Sequence, residues 1–301
     1  IERDAEDARA VAEKLDIPFY IFDFEREYRE KVFDYMVREY AAGLTPNPDV
    51  LCNSEIKFGI FLEKAMALGA DFVATGHYVR SSESSPKTNT VLLTAKDQNK
   101  DQSYFLWRLN QKQLKHVLFP AGDYLKSEVR EMAREFGLPT ADKKDSQGLC
   151  FVGKVDFSEF LRGILPKNPG PIMTTSGKVI GEHDGINFYT LGQRHGIKIG
   201  GGTPYYVAAK EAQTNTLVVT EGNKDEALFK KEIEVTDVNW MSNQSQGLYL
   251  ECEARIRYRQ PLQKCKILKH ENGLRVTFAE PQKAATPGQS AVFYKDGELL
   301  G

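Results

Sequence analysis

Two of the four cysteines lie in polar loops, where a thiol could take part in chemistry. Cys52 ends the stretch TPNPDVLC, and Cys150 ends DSQGLC. Each follows a predicted strand and helix, so the two can meet at one edge of an α/β sheet. In a reducing compartment, one thiol of such a pair could carry sulfur or an acyl group, and the other could release it through a transient disulfide. The alternative is packing, because free cysteine is among the most buried residue types.

The residues around Cys52 favour a reactive thiol. Two prolines and two asparagines, Asn47 and Asn53, stiffen the short stretch that contains it. We predict that Cys52 lies near the start of a helix capped by Asn53 or Ser54, where the helix N-terminus lowers the pKa of a cysteine. Asp49, three residues upstream, is placed to act as a general acid or base. The alternative is that Asn-Pro-Asp forms a plain turn.

Two further stretches put polar residues next to predicted elements. In ATGHYVR, Gly76 and His77 follow a strand and emerge at the sheet edge where open α/β folds bind ligands. A turn with a surface histidine is the alternative. Lys100, Asp101 and Gln102 precede a predicted apolar helix, and a plain N-cap explains Asp101 equally well.

An arginine pattern near the C-terminus suggests contacts with phosphate. In ARIRYRQP, the residues Arg255, Arg257 and Arg259 recur at spacing two, which places them on one face of a strand and Tyr258 on the other. Three arginines on a half-exposed face suit the backbone of a nucleic acid. A solvated strand face is the alternative. Gln289, in TPGQ, lies at a predicted turn and is weak support alone.

The elements that must position these residues alternate between strand and helix in the first half of the chain. We predict helices at about 25–41 and 56–68, and strands at 19–24 (FYIFDF) and 71–76 (DFVATG). This order is typical of a doubly wound α/β domain, which normally begins with a strand and a nucleotide-facing loop. The chain opens on a helical pattern instead. We therefore expect an N-terminal piece to precede Ile1.

The second half has the pattern of short strands. A hairpin with a serine-rich tip is predicted at 80–100, and the helix DFSEFLRGIL ends at the cluster PKNPGP, the best candidate boundary. Alternating runs from about residue 230 predict a small antiparallel barrel or sandwich. We predict three domains, at 1–163, 164–222 and 223–301.

Composition excludes several classes of protein. The 301 residues are 41% hydrophobic and 27% charged, and no apolar run reaches the length of a membrane span. A net charge of −2 excludes a polycation that coats nucleic acid but allows a local basic patch. The cysteines form no CxxC pair and no zinc spacing with the histidines. We expect a cytoplasmic protein without a bound metal and without a membrane partner.

Several motifs together resemble the tRNA-specific 2-thiouridylases, bacterial-type enzymes that thiolate the wobble uridine of certain tRNAs. The resemblance implies an α/β + β architecture: a Rossmann-like adenine-nucleotide α-hydrolase domain of the PP-loop type truncated at its N-terminus, a small β-rich central domain and a C-terminal antiparallel β-barrel. It covers the whole chain and rests on GLTPNPDVLCNSEIKFG, ATGHYVR, KDQSYFLWRL, DSQGLCFVG, PGPI, GEHDGINFYTLGQRHGI, RYRQ and TPGQ.

The resemblance also implies roles for single residues. Cys150 corresponds to the cysteine that carries a persulfide, and Cys52 to the second catalytic cysteine, which closes a transient disulfide with it. Asn47, Pro48 and Asp49 would lie against the target base, and Gly76 would belong to the ATP site. The implied tRNA contacts are His77, Lys100, Asp101, Gln102, Arg257, Tyr258 and Gln289.

The implied reaction uses ATP, with magnesium, to adenylate the C2 oxygen of the wobble uridine before sulfur replaces it. The implied partners are the anticodon stem-loop of tRNA and a protein that delivers persulfide sulfur, either a sulfur-relay protein or a cysteine desulfurase; we expect a monomer. The family's phosphate loop of the Ser-Gly-Gly-Val-Asp-Ser type would precede Ile1. We therefore expect this chain to bind tRNA without activating uridine. The alternatives are another PP-loop RNA sulfurtransferase and a non-catalytic tRNA-binding fragment.

Overall fold

The computed structural model describes most of the chain, with short gaps. The stretch DSQGLC, and with it Cys150, lies outside the described residues, so the predicted meeting of Cys150 with Cys52 stays a prediction. None of the described helices is both long and apolar enough to cross a membrane. The described ranges are 2–83, 89–143, 157–197, 199–200, 202–241, 249–271 and 273–301.

The first part of the chain is mainly helical, and it differs from prediction at residues 19–24. This segment has no regular structure, so the predicted strand FYIFDF is wrong. No described strand pairs with it, and a strand needs a ladder partner for its backbone groups. Tyr20 is 75% exposed, whereas Phe22 and Phe24 pack their rings on Phe61. Side-chain packing therefore anchors this segment instead of strand pairing.

The two predicted long helices are present, and each contains a π-helical turn. The helix predicted at 25–41 is confirmed as a continuous run. The second helix starts eight residues earlier than predicted, because Pro48 occupies its first position, where its fixed φ suits a helix start. Asn53 and Ser54 consequently lie inside the helix and are not its caps. The runs are α1 (Glu2–Lys14); α2 (Glu25–Tyr28), a π turn (Arg29–Phe33) and α3 (Asp34–Ala41); α4 (Pro48–Leu51), a π turn (Cys52–Ile60) and α5 (Phe61–Ala67).

A short parallel sheet and a hairpin follow these helices. The strand predicted at 71–76 is confirmed over β1, which runs parallel to β4, and the predicted hairpin forms from β2 and β3. The apolar helix predicted after Gln102 is a single 3₁₀ turn, Ser103–Phe105, so that prediction is wrong. The strands are β1 (Val73–Ala74), β2 (Arg80–Glu83), β3 (Thr90–Leu93) and β4 (Val117–Leu118), and the further helices are α6 (Gln111–Leu114), α7 (Lys126–Glu135) and α8 (Phe157–Ile164).

The middle of the chain forms a four-stranded sheet in the order β6-β5-β8-β7. Strands β5 and β8 run parallel, and the outer pairings are antiparallel. Leu161 of α8 and Met36 of α3 share one buried cluster with the sheet residues Ile172 and Val207. The middle sheet therefore packs on the N-terminal helices. Its strands are β5 (Gly170–Thr174), β6 (Val179–His183), β7 (Tyr205–Glu211) and β8 (Thr216–Glu221).

The predicted antiparallel C-terminal structure is an eight-stranded sheet, in the order β2-β3-β14-β13-β10-β11-β12-β9. The hairpin from the first half joins this sheet, because Glu298 pairs with Leu93. Residues more than 200 positions apart thus share one ladder. The additional strands are β9 (Phe229–Val235), β10 (Tyr249–Arg255), β11 (Gln263–His270), β12 (Gly273–Lys283), β13 (Val292–Lys295) and β14 (Glu298–Leu299).

Candidate active site and RNA interface

A cleft of about 780 Å³ lies between the N-terminal helices and the C-terminal sheet. Asn47, at the start of α4, lines it from the helical side, and Gln289 lines it from the sheet side. Asn47 has an extended backbone, and its side chain does not cap the helix. The amide of Asn47 is therefore not used by its own helix, and two sequence-predicted site residues face one cavity.

A turn of the C-terminal region, residues 286–290, holds the loop that leads to Asn47. The N–H of Thr45 donates to the carbonyl of Pro287 at 2.9 Å. In return, Nε2 of Gln289 donates to the carbonyls of Thr45 at 2.8 Å and Pro46 at 3.3 Å. Gly288 has φ +91°, and a Cβ there would lie 2.8 Å from the nitrogen of Thr45. Only glycine allows this close approach, so the turn and the loop fix each other.

Arg257 joins the same region to the middle sheet. Its Nη2 donates to the carbonyl of Leu191 at 2.7 Å, to the carbonyl of Ala284 at 3.1 Å and to Oγ1 of Thr286 at 3.1 Å. Burial lowers the pKa of Arg257. The bonds to carbonyls satisfy this half-buried cation, so in this structure Arg257 links two parts of the protein.

The predicted row of three arginines on one strand face is wrong. Strand β10 ends at Arg255, and a turn follows in which Arg259 has φ +64°. The residues after Arg255 therefore do not continue the strand, and the three arginines do not share one strand face. Arg259 stacks over the ring of Tyr258, with 5.2 Å from Cζ to the ring centroid. The ring of Tyr258 packs in turn 4.4 Å from that of Phe105.

Asp101 and Arg255 form a buried ion pair. Nη1 of Arg255 donates to Oδ2 of Asp101 at 2.8 Å, and their side chains are 5% and 0% exposed. The carboxylate also accepts bonds from the backbone N–H of Ala95 and from the N–H and hydroxyl of Ser103. Asp101 thus fixes the turn before Tyr104 instead of facing a solvent-borne ligand in this structure.

The neighbours of Asp101 are less buried. Gln102 exchanges bonds with the backbone of Tyr78: its Oε1 accepts from the N–H of Tyr78 at 3.0 Å, and its own N–H donates to the carbonyl of Tyr78. Lys100 is partly exposed. Of the three predicted tRNA contacts in this stretch, Lys100 and Gln102 remain accessible in part.

His77 lies below the surface, where it links the end of β1 to the helix of Cys52. It is 8% exposed; its Nδ1 lies 2.8 Å from Oγ1 of Thr75, and its Nε2 lies 3.1 Å from Oδ1 of Asn53. Burial, with the nearby charge of Lys57, lowers the pKa of His77 to about 3. The neutral ring therefore donates from Nε2 to Asn53. A contact between this ring and tRNA stays a prediction.

Comparisons with known proteins place the chain in a family. The model of a tRNA methyl transferase HUP domain matches residues 1–154, that of a tRNA methyl transferase PRC-barrel domain 158–221, and that of an aminomethyltransferase beta-barrel domain 230–301. The tRNA-specific 2-thiouridylase MnmA of Bacillus cytotoxicus is 48% identical over 300 residues, covering 99% of this chain and 80% of the relative. The chain belongs to the tRNA-specific 2-thiouridylase family. MnmA of Bacillus anthracis and MnmA 2 of Geobacillus kaustophilus are 47% identical at the same coverage.

Membership of the 2-thiouridylase family confirms the expected fold class. The HUP domain corresponds to the Rossmann-like part, the PRC-barrel domain to the central β-rich part, and the last match to the C-terminal antiparallel sheet. The exact boundaries at 163 and 222 stay predictions.

The structure describes one of the two cysteines expected to be catalytic in a 2-thiouridylase, Cys52, and the glycine expected in its ATP site, Gly76. Cys52 is fully buried, with Tyr28, Val32 and Ile56 among the residues of its cluster. It lies in the second helical turn and not at the helix start, so the predicted effect of a helix N-terminus on its pKa loses its basis. Gly76 is exposed just past the carboxyl end of β1, and an added Cβ would meet nothing within 4 Å. The backbone there is open to a close ligand.

Sequence reasoning missed Tyr104 and Ser290, which bring the predicted residues together. Tyr104 follows Lys100–Gln102 along the chain, its hydroxyl donates to the carbonyl of Ser290 at 2.9 Å, and its ring lies 6.3 Å from that of Tyr258. An aromatic residue in an apolar stretch is typical of a core position, so no pattern in the sequence distinguished Tyr104 from packing.

Proposed function

We propose that this chain acts in the 2-thiolation of the wobble uridine of tRNA. The observation that carries the proposal is the similarity to proteins named tRNA-specific 2-thiouridylase, which extends over 99% of the chain. Asn47 and Gln289 line one cleft, and the buried Tyr104, which bonds the cleft residue Ser290, packs near Tyr258; this grouping supports the proposal. A base flipped out of an anticodon loop is a ligand that such a polar, aromatic-edged site can accept.

The proposed chemistry exchanges oxygen for sulfur at C2 of uridine. ATP supplies a leaving group by adenylating the C2 oxygen, with release of pyrophosphate. The terminal sulfur of a Cys150 persulfide, or sulfide freed from it, forms the new bond to C2, and AMP departs with the oxygen. The Cys52 thiolate attacks the inner sulfur of Cys150 and breaks its bond to the outer sulfur, which leaves a Cys52–Cys150 disulfide. This step frees the thiouridine if the outer sulfur is already bonded to C2; if it comes first, it frees the sulfide that then attacks C2. A thiol reductant restores both thiols.

The other roles follow from position. Asp49, one residue after Pro48 in the first turn of α4, is proposed as the acid or base that moves protons at the base. Asn47 and Pro48 are proposed to hold the base, and the open backbone at Gly76 supports its assignment to ATP. We also propose a persulfide-delivering protein as partner and a monomer as the working form.

The buried position of Cys52 restricts how the proposed disulfide with Cys150 can form. Its side chain has no exposed surface in the described structure. Attack on Cys150 therefore requires that the sulfur of Cys150 reach Cys52 from within the protein, where water is excluded. Such exclusion favours the reaction, because hydrolysis of the activated uridine would compete with sulfur transfer in water.

The test uses nucleoside analysis in a strain that lacks its own 2-thiouridylase, complemented with the gene that encodes this protein. Cys150→Ser and Cys52→Ser are each expected to abolish 2-thiouridine and to leave 4-thiouridine unchanged. Cys252→Ser is the matched control, because Cys252 is also buried but lies in the C-terminal sheet beside Cys265. Normal 2-thiouridine in the Cys150→Ser strain would refute the proposal.

The same nucleoside analysis distinguishes sulfur transfer from methyl transfer, the activity that the descriptions of two matching family models name. A methyltransferase has no need of a second thiol to resolve a persulfide. Loss of a methylated nucleoside with normal 2-thiouridine would favour that reading, and loss of 4-thiouridine would favour another PP-loop sulfurtransferase.

A further inference from the structure

We propose that Thr75 is a positioning residue that holds the turn at Gly76 in the conformation that meets ATP. The proposal rests on the proposed function, because it takes ATP to lie against the backbone of Gly76. This glycine is exposed just past the carboxyl end of β1, the edge at which open α/β sheets bind ligands. Thr75 would act through the conformation of the turn and not through a contact with the substrate.

The side chains on the two sides of Gly76 are bonded to each other. Oγ1 of Thr75 lies 2.8 Å from Nδ1 of His77. Because Nε2 of the neutral His77 ring carries the proton that it donates to Oδ1 of Asn53 at 3.1 Å, Nδ1 is an acceptor and the hydroxyl of Thr75 is its donor. This Thr75–His77 bridge spans a single residue, so a large change in the backbone angles of Gly76 would break it.

The ring of His77 is itself held in place. It is 8% exposed, and its centroid lies 5.5 Å from that of the Phe58 ring and 6.3 Å from that of the Phe119 ring. Phe58 belongs to the helical run that carries Cys52. The hydroxyl of Thr75 is therefore bonded to a fixed group, and the bridge holds the turn relative to the helix of Cys52.

The turn needs such a bridge because of the residue at its centre. Glycine loses more conformational freedom on ordering than any other residue. An added Cβ at Gly76 would meet nothing within 4 Å, so packing against the described residues does not by itself fix this position. An ordered turn has lost that freedom before ATP binds, whereas a loose turn would lose it on binding and bind ATP more weakly.

Thr174 provides a matched control for the loss of a hydroxyl. Its Oγ1 lies 2.8 Å from Oγ of Ser176, two positions further along the chain, as His77 is from Thr75. This second bridge lies at the end of β5 in the middle sheet, where ATP is not expected. Thr174→Val therefore removes a similar bond without touching the Gly76 turn.

The experiment measures the dissociation constant of ATP by equilibrium dialysis and the rate of 2-thiouridine formation, with protein produced from the gene that encodes it. Thr75→Val keeps the shape of the side chain and removes the hydroxyl. We expect it to weaken ATP binding about fivefold, the worth of about one hydrogen bond, and to raise the KM for ATP with little change in kcat. Thr75→Ser keeps a hydroxyl donor and should restore the wild-type affinity. The affinity for an anticodon stem-loop hairpin should be the same in all variants.

The outcomes separate this proposal from the proposed function. An unchanged ATP affinity in Thr75→Val, an equal loss in Thr174→Val or an equal loss of hairpin affinity would overturn the role of Thr75. A wild-type protein that binds no ATP would overturn it as well. A wild-type protein that binds ATP but forms no 2-thiouridine would count against the proposed function instead, and the ATP measurements would still test Thr75.

A second variant keeps the proposal testable if Thr75→Val does not fold. Asn53→Ala removes the acceptor that orients the ring of His77, so it should weaken ATP binding in the same direction. Ser54→Ala is its control, because Ser54 is buried on the same helical run but its hydroxyl bonds the carbonyl of Leu51 within that run. An ATP affinity in Asn53→Ala equal to that of the wild type would overturn the proposal.

Discussion

The junction between the α/β part and the C-terminal sheet differs from the attachment of the first helix. At the junction, Asp101 bonds Arg255 in a buried ion pair, and the partly buried Gln289 bonds the loop of Thr45. The helix α1 is instead tied by Asp4 and Asp7 to Lys143, at 2.7 and 2.5 Å, in side chains at least one-third exposed. Contact distances at the two places are similar. Burial, and not distance, decides how strongly such contacts fix geometry.

The largest expected effect is at Asp101. Asp101→Asn leaves the guanidinium of Arg255 buried without its counter-charge, and we expect a loss of about 3–5 kcal/mol in the free energy of unfolding. Chemical denaturation followed by tryptophan fluorescence measures it. Asp101→Asn with Arg255→Met should recover much of the loss, because no unpaired charge remains and the amide oxygen of Asn can still accept the bonds from Ala95 and Ser103. A double variant as unstable as Asp101→Asn would contradict the view that the unpaired charge is the cause.

A smaller effect is expected at Gly288. Gly288→Ala adds a Cβ within 3.0 Å of the backbone of Thr45 at a left-handed φ, and we expect a cost of about 1–3 kcal/mol. Gly177→Ala is the control, since Gly177 has φ +88° but nothing within 4 Å of an added Cβ. Thermal unfolding of both variants separates the clash from the strain of the backbone angle. Equal costs in the two would show that the 286–290 turn does not depend on close approach.

The buried link between His77 and Asn53 should respond to pH. The folded protein holds the pKa of His77 at about 3, below its ordinary value of 6.5, so the unfolded state binds more protons between these values. The free energy of unfolding should therefore fall as the pH decreases from 6.5 towards 3, by at most about 1.4 kcal/mol per pH unit from this residue. His77→Gln should show a flatter profile in urea unfolding at stepped pH. Parallel profiles of the wild-type protein and His77→Gln would mean that folding does not lower the pKa of His77.

The smallest effect is expected at Lys143. Its ion pairs raise the pKa of Lys143 and lower that of Asp4, but salt screens exposed charges. Lys143→Met should shift the unfolding midpoint only slightly at low salt and not at all at 1 M salt. The Asp101→Asn deficit should persist at the same salt concentration. A loss of stability in Lys143→Met that is the same at low and high salt would contradict the contrast between the exposed attachment of α1 and the buried junction.

Local sequence patterns predicted the helices and strands more successfully than they predicted which segments these elements pair with. The helix at 25–41 and the hairpin at 80–100 were predictable because apolar spacing and turn residues act within a few residues. The start of the helix at Pro48 was missed, since the segment also reads as a Pro/Asn loop. The strand FYIFDF was wrong because an apolar run does not reveal whether a ladder partner is present.

The candidate site shows the same division. The motifs indicated Asn47 and Gln289, but a sequence pattern carries no information on which carbonyls an amide will meet 244 positions away. Arg255 looked like one of three phosphate-binding arginines, and Asp101 like a helix cap. Their pairing follows from the packing of β10 on the turn before Tyr104. Burial then turns two residues that are ordinary on a surface into a structural ion pair.

The sequence by itself determined the family, the order of α/β, central and antiparallel parts, and the residues whose types suit sulfur and RNA chemistry. Motif strings are local, and their residue types survive any arrangement of the chain. Only the tertiary structure decided that the 80–100 hairpin joins the C-terminal sheet, that His77 is buried and neutral, and that Asp101 pairs with Arg255. Those features arise from long-range pairing and desolvation, which depend on where distant segments meet in space.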